Sequence, residues 1–265
     1  MHDVAPKRTE KGREGVSVRL VRKSIALSDR MFSSFLPDRG VVAEGDDVSA
    51  VAPWMSEIDA HIDAIRAEAG TVLNSIGDLP TFGETANIVG PGMNWQTRWT
   101  LYPFILMHRR LNGSLPTPVT RGVLRKIPGL VNGFFSILPP HTTLAPHRGT
   151  SRALARCHVG LITPQRSENC YFVIDGHKHV WRFRHKLIFD QTFEHAAIND
   201  TDENRLVLIV DVVRPEFPLL IRWPVSAVTY SLGFHPEARY TIGSYRKALA
   251  SLRSEDASVA SSPGV

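Results

Sequence analysis

The sequence predicts a mainly β fold, a sandwich or jelly-roll barrel, with helices packed against one face. Short apolar runs separated by turns fill the chain from Gly133 onward, and two helical patterns precede them. About seven short strands at this tight spacing are typical of sandwiches and jelly rolls. No glycine-rich strand-to-helix unit of the kind used by nucleotide-binding α/β folds is present in the sequence.

The helical patterns lie in the first half of the chain. Pro53 suits a first helical turn, and a second helix is predicted over Thr120–Ile127, ending before Pro128 and Gly129. In the first pattern, apolar residues recur at spacings of three and four, which indicates a face turned to the core. The residues of that stripe are Trp54, Ile58, Ile62, Ile65, Ala69 and Val72.

The predicted strands follow as apolar runs bounded by turn residues. They are residues 134–138, 156–162, 170–174, 179–183, 186–189, 195–198 and 205–213. Asp175 and Gly176 favour a hairpin turn between two of them. We expect a flexible basic arm over residues 1–16, a single domain over 17–250 with its jelly-roll core at about 130–217, and a disordered serine-rich tail over 251–265.

Composition limits the classes of function. The chain has 265 residues, a formal net charge of +5 and two cysteines, so a large core without disulfides is expected. The basic N-terminal region lacks interleaved aromatic residues, and we expect no nucleic-acid partner. The most apolar run, Pro218–Phe234, is too short to span a bilayer and there is no apolar leader. We therefore expect a cytoplasmic protein with no membrane span.

Two histidines are candidate metal ligands. His147 falls on a predicted loop after Pro146, and His195 begins a predicted strand. In a chain with 11 histidines, each of them alone is most often a structural or surface residue. Neutral imidazole binds Fe(II) well, and two imidazoles leave coordination positions open for a chelating acid and O₂.

Arg205 opens the most apolar predicted strand. A guanidinium that leads into a buried strand needs an acidic partner, because burying it unpaired is costly. That partner is either a protein carboxylate, such as Asp190 or Asp211, or the carboxylate of a ligand held by two hydrogen bonds. Three more polar residues on predicted strands can converge on the same interior in an antiparallel barrel: Ser136, Arg156 and His158.

Four motifs occur in the second half of the chain in a fixed order. They are P-H-x-G at 146–149, H-x-G-L-x-x-P at 158–164, F-D-x-x-x-E-H at 189–195, and R-L-x-x-I-x-D-x-x-x-P at 205–215. With this order and spacing, the region from Phe134 to Phe217 resembles the aspartyl/asparaginyl β-hydroxylase family of Fe(II)/2-oxoglutarate-dependent oxygenases. Several pieces also resemble the bacterial lipid A hydroxylases of that family. The resemblance implies a double-stranded β-helix, the cupin-like form of the jelly roll.

The resemblance also implies a metal site. His147 and His195 would bind Fe(II). Relatives of the aspartyl type carry glycine where most members of the wider class carry an acidic ligand, and water fills that coordination position, so Gly149 matches the family. The resemblance does not assign Asp190 or Glu194 to the metal, and we interpret Asp190 as structural support for the site.

For the cosubstrate, the resemblance implies that Arg205, helped by the hydroxyl of Ser136, binds the distal carboxylate of 2-oxoglutarate. Arg156 and His158 would line the same pocket near the other carboxylate. Cys157 lies between these two residues, so strand alternation predicts that it points to the opposite face as a small core residue.

The expected activity is therefore hydroxylation of an unactivated C–H bond with Fe(II), O₂ and 2-oxoglutarate. The expected substrate is a small molecule, amino acid or peptide, and the favoured target is the β-carbon of an aspartyl- or asparaginyl-type residue, free, peptidyl or carrier-bound, in bacterial metabolism. Three alternatives stay open at the level of sequence: a lipid A or acyl-chain hydroxylase, an iron-dependent halogenase that holds chloride beside Gly149, and a non-catalytic cupin-like binding module.

Overall fold

The structure is a computed structural model that describes residues 36, 39–75, 77, 79–85, 97–149 and 151–252. The basic arm predicted over residues 1–16 and nearly all of the tail predicted over 251–265 lie outside the described residues. The strands of the described part are β1 (Val41–Glu44), β2 (Thr100–Leu106), β3 (Arg109–Arg110), β4 (Leu130–Leu138), β5 (Thr142–His147), β6 (Leu154–Ile162), β7 (Cys170–Ile174), β8 (His177–Val180), β9 (Lys186–Asp190), β10 (His195–Asn199) and β11 (Arg205–Val213).

Helices come before, between and after these strands along the chain. The α-helices of the described part are α1 (Val48–Val51), α2 (Met55–Ala60), α3 (Ile62–Asn74), α4 (Phe82–Thr85), α5 (Pro118–Lys126), α6 (Leu219–Leu232) and α7 (Pro236–Ser251). Over the residues that the structure describes, no helix has both the length and the apolar character needed to cross a membrane.

The strands form two antiparallel sheets. One has seven strands in the order β1-β9-β6-β11-β4-β2-β3, and the other has four in the order β5-β10-β7-β8. Buried residues of both sheets, such as Phe135 and Phe172, belong to one apolar core. This confirms the predicted mainly β fold with flanking helices, and the jelly roll consists of two separate facing sheets instead of a closed barrel.

Several predicted boundaries differ from the structure. The first predicted helix is divided at His61 into α2 and α3, although Ile58 and Ile65 of its stripe are fully buried as expected. The predicted strand at 179–183 is wrong at both ends, because β8 starts directly after the Asp175–Gly176 turn and stops at Val180. The helix predicted over Thr120–Ile127 is confirmed as α5, which begins two residues earlier at Pro118.

The prediction that His147 lies on a loop is wrong, because His147 is the last residue of β5. Pro146 hid this strand in the sequence, since proline cannot donate a ladder hydrogen bond. β5 is an edge strand of the four-stranded sheet, which is the position where proline is tolerated. The histidine is therefore held by strand pairing and not by a loop.

The segment that follows β8 folds back onto β6 at Gly160. The Gly160 amide donates to the His185 carbonyl oxygen at 2.9 Å, and the Arg184 amide donates to the Gly160 carbonyl oxygen at 2.9 Å. A side chain at this position would overlap the carbonyl oxygen of Arg182. This close approach carries Trp181, which is 1% exposed, into the interior between the sheets.

We predict that Gly160→Ala lowers the free energy of unfolding by about 2 kcal/mol or more, because the backbone of the folded-back segment has to shift. Gly70→Ala is the matched control: a side chain there meets nothing within 4 Å in the middle of α3, so that variant should gain ~0.5–1 kcal/mol. Urea unfolding of both variants measures the difference. Equal stability of the two variants would contradict the close packing at Gly160.

Candidate active site

Two histidines meet where β5 and β10 pair. His195 lies opposite His147 in the strand register, and the centroids of their rings are 4.1 Å apart. In each residue Nδ1 is 2.8 Å from the carbonyl oxygen two residues earlier, that of Ala145 or Phe193. A carbonyl oxygen can only accept, so Nδ1 carries the proton in both rings. The lone pair of Nε2 is then left for a metal ion.

Burial keeps both imidazoles neutral. It lowers the pKa of His147, and it lowers the pKa of His195 to about 3, with His147 and Arg156 nearby adding to the effect. Neutral imidazole is the form that coordinates Fe(II). Among the described residues no cluster of three histidine, cysteine, aspartate or glutamate side chains is suited to a metal ion, and the candidate donors at this place are the two imidazoles.

Gly149 lies against Gln191. The Gly149 amide donates to the Gln191 carbonyl oxygen at 2.6 Å. A Cβ atom at position 149 would lie 2.6 Å from Cγ and 2.8 Å from Cδ of Gln191. The Gln191 side chain therefore occupies the space beside Gly149 that a longer side chain would enter. The halogenase alternative needs the same space for chloride.

The two acidic residues near His195 have other partners. Asp190 is fully buried; its Oδ2 accepts a hydrogen bond from Arg152 Nε at 3.0 Å and forms an ion pair with Arg214 Nη2 at 2.6 Å. Glu194 is exposed, with a carboxylate oxygen 3.8 Å from Arg148. Asp190 thus acts as structural support beneath the site, as the sequence suggested.

A cavity of about 230 Å³ opens beside the histidine pair. Among the described residues, its polar lining consists of the two histidines, Asn132, Arg148, Arg156, Gln191 and Thr241. The remaining wall is apolar or aromatic and consists of Phe82, Trp99, Leu101, Leu106, Met107, Phe134, Gly149, Ala238, Ile242 and Tyr245. The sequence did not indicate that the C-terminal helix α7 supplies part of this wall.

Arg156 lines the cavity with its charge already paired. Its Nε and Nη2 donate to the two carboxylate oxygens of Asp211 at 2.7 and 2.9 Å, and Asn132 donates to the same carboxylate at 2.9 Å. These residues lie opposite one another on β6, β11 and β4. Asp211 is thus the structural partner that the sequence suggested, but for Arg156 and not for Arg205.

Ser136, His158 and Arg205 do not line the cavity; they are buried between the sheets. His158 packs against the rings of Phe172, Trp181 and Phe189 at centroid distances of 5.2, 5.4 and 4.9 Å. Burial lowers its pKa far below the usual value, and neither ring nitrogen has a hydrogen-bond partner. Ser136 Oγ accepts from Trp99 Nε1 at 2.9 Å.

Cys157 lies between Arg156 and His158 on β6, and strand alternation turns it to the face opposite theirs, where it is fully buried as predicted.

Arg205 is a buried cation without a counterion. It is 2% exposed, its Nε and Nη1 have no hydrogen-bond partner, and burial lowers its pKa to about 10. In the described part of the chain, no carboxylate lies within ion-pair distance of it. Its Cζ lies 5.5 Å from the ring centroid of Trp181, whose Nε1 is also unpartnered.

Unpartnered donors thus collect around Trp181, which contacts both His158 and Arg205. An anionic oxygen ligand fits this arrangement, because a carboxylate would satisfy donors that are otherwise desolvated and unpaired. Trp181 is not among the candidate residues that the sequence indicates. In the sequence it cannot be told from any other tryptophan of a protein core. Only its indole N–H, which has no hydrogen-bond partner in the structure, distinguishes it.

The family model described as aspartyl/asparaginyl beta-hydroxylase matches residues 59–215. An ornithine lipid ester-linked acyl 2-hydroxylase from Rhizobium tropici is 36% identical over 185 residues, which cover 69% of this chain and 64% of that protein. The aspartyl/asparaginyl beta-hydroxylase of Homo sapiens is 35% identical over 113 residues, which cover 41% of this chain and 15% of that protein.

The chain therefore spans less than two thirds of the length of these curated relatives. Among solved structures, a prolyl-4-hydroxylase from Pseudomonas putida aligns with 63% of this chain and 99% of its own, with a TM-score of 0.42 and 13% identity. That likeness is too slight to carry an argument about function.

We predict opposite effects from neutralising the two arginines. Arg156→Met should lower the free energy of unfolding by about 3–5 kcal/mol, because it leaves the Asp211 carboxylate buried without its cation. Arg205→Met should be neutral or stabilising without ligand, because it removes an unpaired buried charge. Urea unfolding of the unliganded variants checks both. A loss for Arg205→Met as large as that for Arg156→Met would show that Arg205 has a protein counterion.

We predict that Gly149→Ala destabilises the protein by ~1–3 kcal/mol and that Gln191→Ala in the same chain restores most of the loss, because the two side chains compete for one space. A double-mutant cycle measured by urea unfolding gives the coupling. Gly122→Ala is the control, since a side chain at that position in α5 meets nothing within 4 Å. Additive effects of the Gly149 and Gln191 changes would contradict this packing.

Proposed function

Because the chain belongs to the aspartyl/asparaginyl β-hydroxylase family, we propose that it is an Fe(II)- and 2-oxoglutarate-dependent hydroxylase that acts on an acyl chain. In this reaction the substrate C–H bond, O₂ and 2-oxoglutarate give the C–OH product, succinate and CO₂. One oxygen atom enters the product and the other enters succinate, so the reaction balances without a further reductant.

The proposed metal ligands are His147 and His195. Their support is the free Nε2 atom of each ring and the neutral form that burial maintains. When bound, Fe(II) with 2-oxoglutarate and O₂ supplies the oxidising power for attack on an unactivated C–H bond. The protein's own contribution is to hold the rings in one orientation through the Ala145 and Phe193 carbonyl oxygens and to exclude water from the buried side of the site.

Arg205, His158 and Trp181 are the proposed donors to 2-oxoglutarate. Arg205 would pair with a carboxylate of the cosubstrate, which is the counterion that the described residues do not provide. Ser136 would contribute its hydroxyl, which already accepts from Trp99 and is free to donate. The charge of Arg156 is balanced by Asp211. The proposed role of Arg156 is therefore to orient a polar group of the ligand at the cavity wall.

The apolar wall of the cavity beside the histidine pair is the observation that carries the acyl-chain proposal. Aromatic and aliphatic side chains such as Trp99, Phe134 and Ile242 surround the space into which a substrate would extend. An acyl chain buries its methylene groups favourably against such a wall, at about 0.8 kcal/mol for each one. The acyl 2-hydroxylase among the relatives supports the same substrate class.

An aspartyl- or asparaginyl-type substrate is the second candidate. Its support is Arg148, which lines the cavity next to His147 with an exposed guanidinium. That cation would pair with a substrate carboxylate. The halogenase alternative has less support, because Gln191 fills the space beside Gly149.

The test is turnover by the full chain supplied with Fe(II), 2-oxoglutarate and O₂. Detergent-dispersed lipids with ester- or amide-linked acyl chains are compared with aspartate, asparagine and peptides that contain them. We expect lipid-dependent succinate release and a product heavier by one oxygen. Stimulation by the amino-acid set alone would favour the second candidate, replacement of hydrogen by chlorine would identify a halogenase, and no stimulated succinate release would indicate a binding module.

We predict that His147→Ala and His195→Ala each abolish turnover and Fe(II) retention after anaerobic gel filtration, because one imidazole cannot hold the ion. Arg205→Met should raise the 2-oxoglutarate concentration for half-maximal rate by about 100-fold or more. His141→Ala is the matched control: His141 is exposed, and its ring nitrogens lie within hydrogen-bond distance of Asp200 and Asp202. Full activity of both histidine variants would contradict the proposed ligands.

A further inference from the structure

The outward face of α6 is apolar and free of charge. Leu219, Leu220 and Trp223 are 77%, 88% and 79% exposed, and Val228, Tyr230 and Phe234 extend the same surface. The one charged residue of the helix, Arg222, is half-buried and donates to the Phe217 and Pro215 carbonyl oxygens. We call the six exposed apolar residues the α6 surface. Monomeric proteins rarely leave so continuous an apolar surface in water.

The outward face of the next helix is cationic. Arg239, Arg246 and Lys247 of α7 are exposed, and its one acidic residue, Glu237, is half-buried. Tyr240 lies exposed among them. Helices that lie in a membrane interface combine leucine and tryptophan on one side with arginine and lysine nearby, because the apolar groups enter the acyl region and the cations pair with anionic headgroups.

The turn between β2 and β3 contacts α6 and also lines the cavity. Arg109 stacks on Tyr230 and Phe234, with its Cζ 4.4 and 4.1 Å from the ring centroids. His108 Nε2 lies 2.9 Å from Thr229 Oγ1, which ties the turn between β2 and β3 to α6. Met107 of that turn lines the cavity, and so does α7 through Ile242 and Tyr245.

We infer that the α6 surface and the cationic face of α7 together bind the surface of an anionic phospholipid bilayer. The apolar side chains would enter the headgroup and acyl boundary, and the cavity would then open close to the lipid. The inference extends the proposed function, because a bilayer is the source of the acyl chain. A second copy of the chain is a poorer occupant, since a symmetric contact would bring the cations of two α7 helices together.

The test is co-sedimentation of the full chain with phosphatidylcholine vesicles and with vesicles that also contain phosphatidylglycerol. We expect binding to the mixed vesicles, weakened by salt, with a blue shift of tryptophan fluorescence. Leu220→Glu and Trp223→Glu should each lower the partition coefficient by about tenfold or more, since each places a charge in the apolar layer. Replacing Arg246 and Lys247 with Gln should lower anionic-vesicle binding by about fivefold per cation.

Ala64→Glu is the matched control. It adds the same charge at an exposed position of α3, away from α6 and α7, and should bind vesicles like the wild type. Thermal unfolding of all variants checks that the fold is retained. Vesicle binding is measured without turnover, and turnover is measured on detergent-dispersed lipid. A failure of bilayer binding is therefore distinguishable from a failure of the proposed hydroxylation.

Two outcomes would overturn the inference. One is the absence of wild-type binding to either vesicle, or binding that the α6 glutamates do not weaken. The other is a stable dimer in analytical ultracentrifugation that Leu220→Glu dissociates while vesicle binding is absent, which would assign the α6 surface to a second copy of the chain.

Discussion

The balance of buried charge organises this interior. Among the described residues, the fully buried carboxylates are Asp190 and Asp211, and each is paired with arginine: Asp190 with Arg152 and Arg214, Asp211 with Arg156. Arg214 also pairs with Glu216. These pairs join segments that are far apart in sequence, and Arg156 lines the cavity. Among the described residues, no carboxylate lies within ion-pair distance of Arg205, which lies beside the ring of Trp181. The proposed use of 2-oxoglutarate depends on this unpaired cation, because an acidic ligand would balance its charge.

The sequence predicted the central strands well, because strands buried on both faces are nearly continuous apolar runs. β4, β6, β9, β10 and β11 were predicted for this reason, and β7, whose burial alternates, was predicted from its apolar run and the turn that follows it. β1, β2 and β3 were not predicted. The edge strand β5 was not found, since Pro146 interrupts its pattern and edge strands need fewer ladder hydrogen bonds. The helices α6 and α7 were missed for another reason. The apolar side of the run Pro218–Phe234 faces outward, so its pattern does not indicate a helix packed against the core.

The sequence motifs predicted which candidate residues would lie close together, but only for residues within those motifs. The chemical roles of these residues are still predictions. His147 and His195 are adjacent, as the motifs suggested. The pairing of Arg156 with Asp211 could not be foreseen, because it depends on the register between β6 and β11. The unpartnered indole of Trp181 and the cavity wall from α7 depend on packing between distant segments, which local patterns do not encode.

The contact between Gly149 and Gln191 has a consequence for how such a site changes over evolutionary time. A longer side chain at position 149 can enter only if the Gln191 side chain moves or is shortened, because the two side chains compete for one space. A smaller side chain at position 191 would open that space in advance. We therefore expect the effect of a substitution at position 149 to depend on the residue at position 191, so that the two positions change together and not independently.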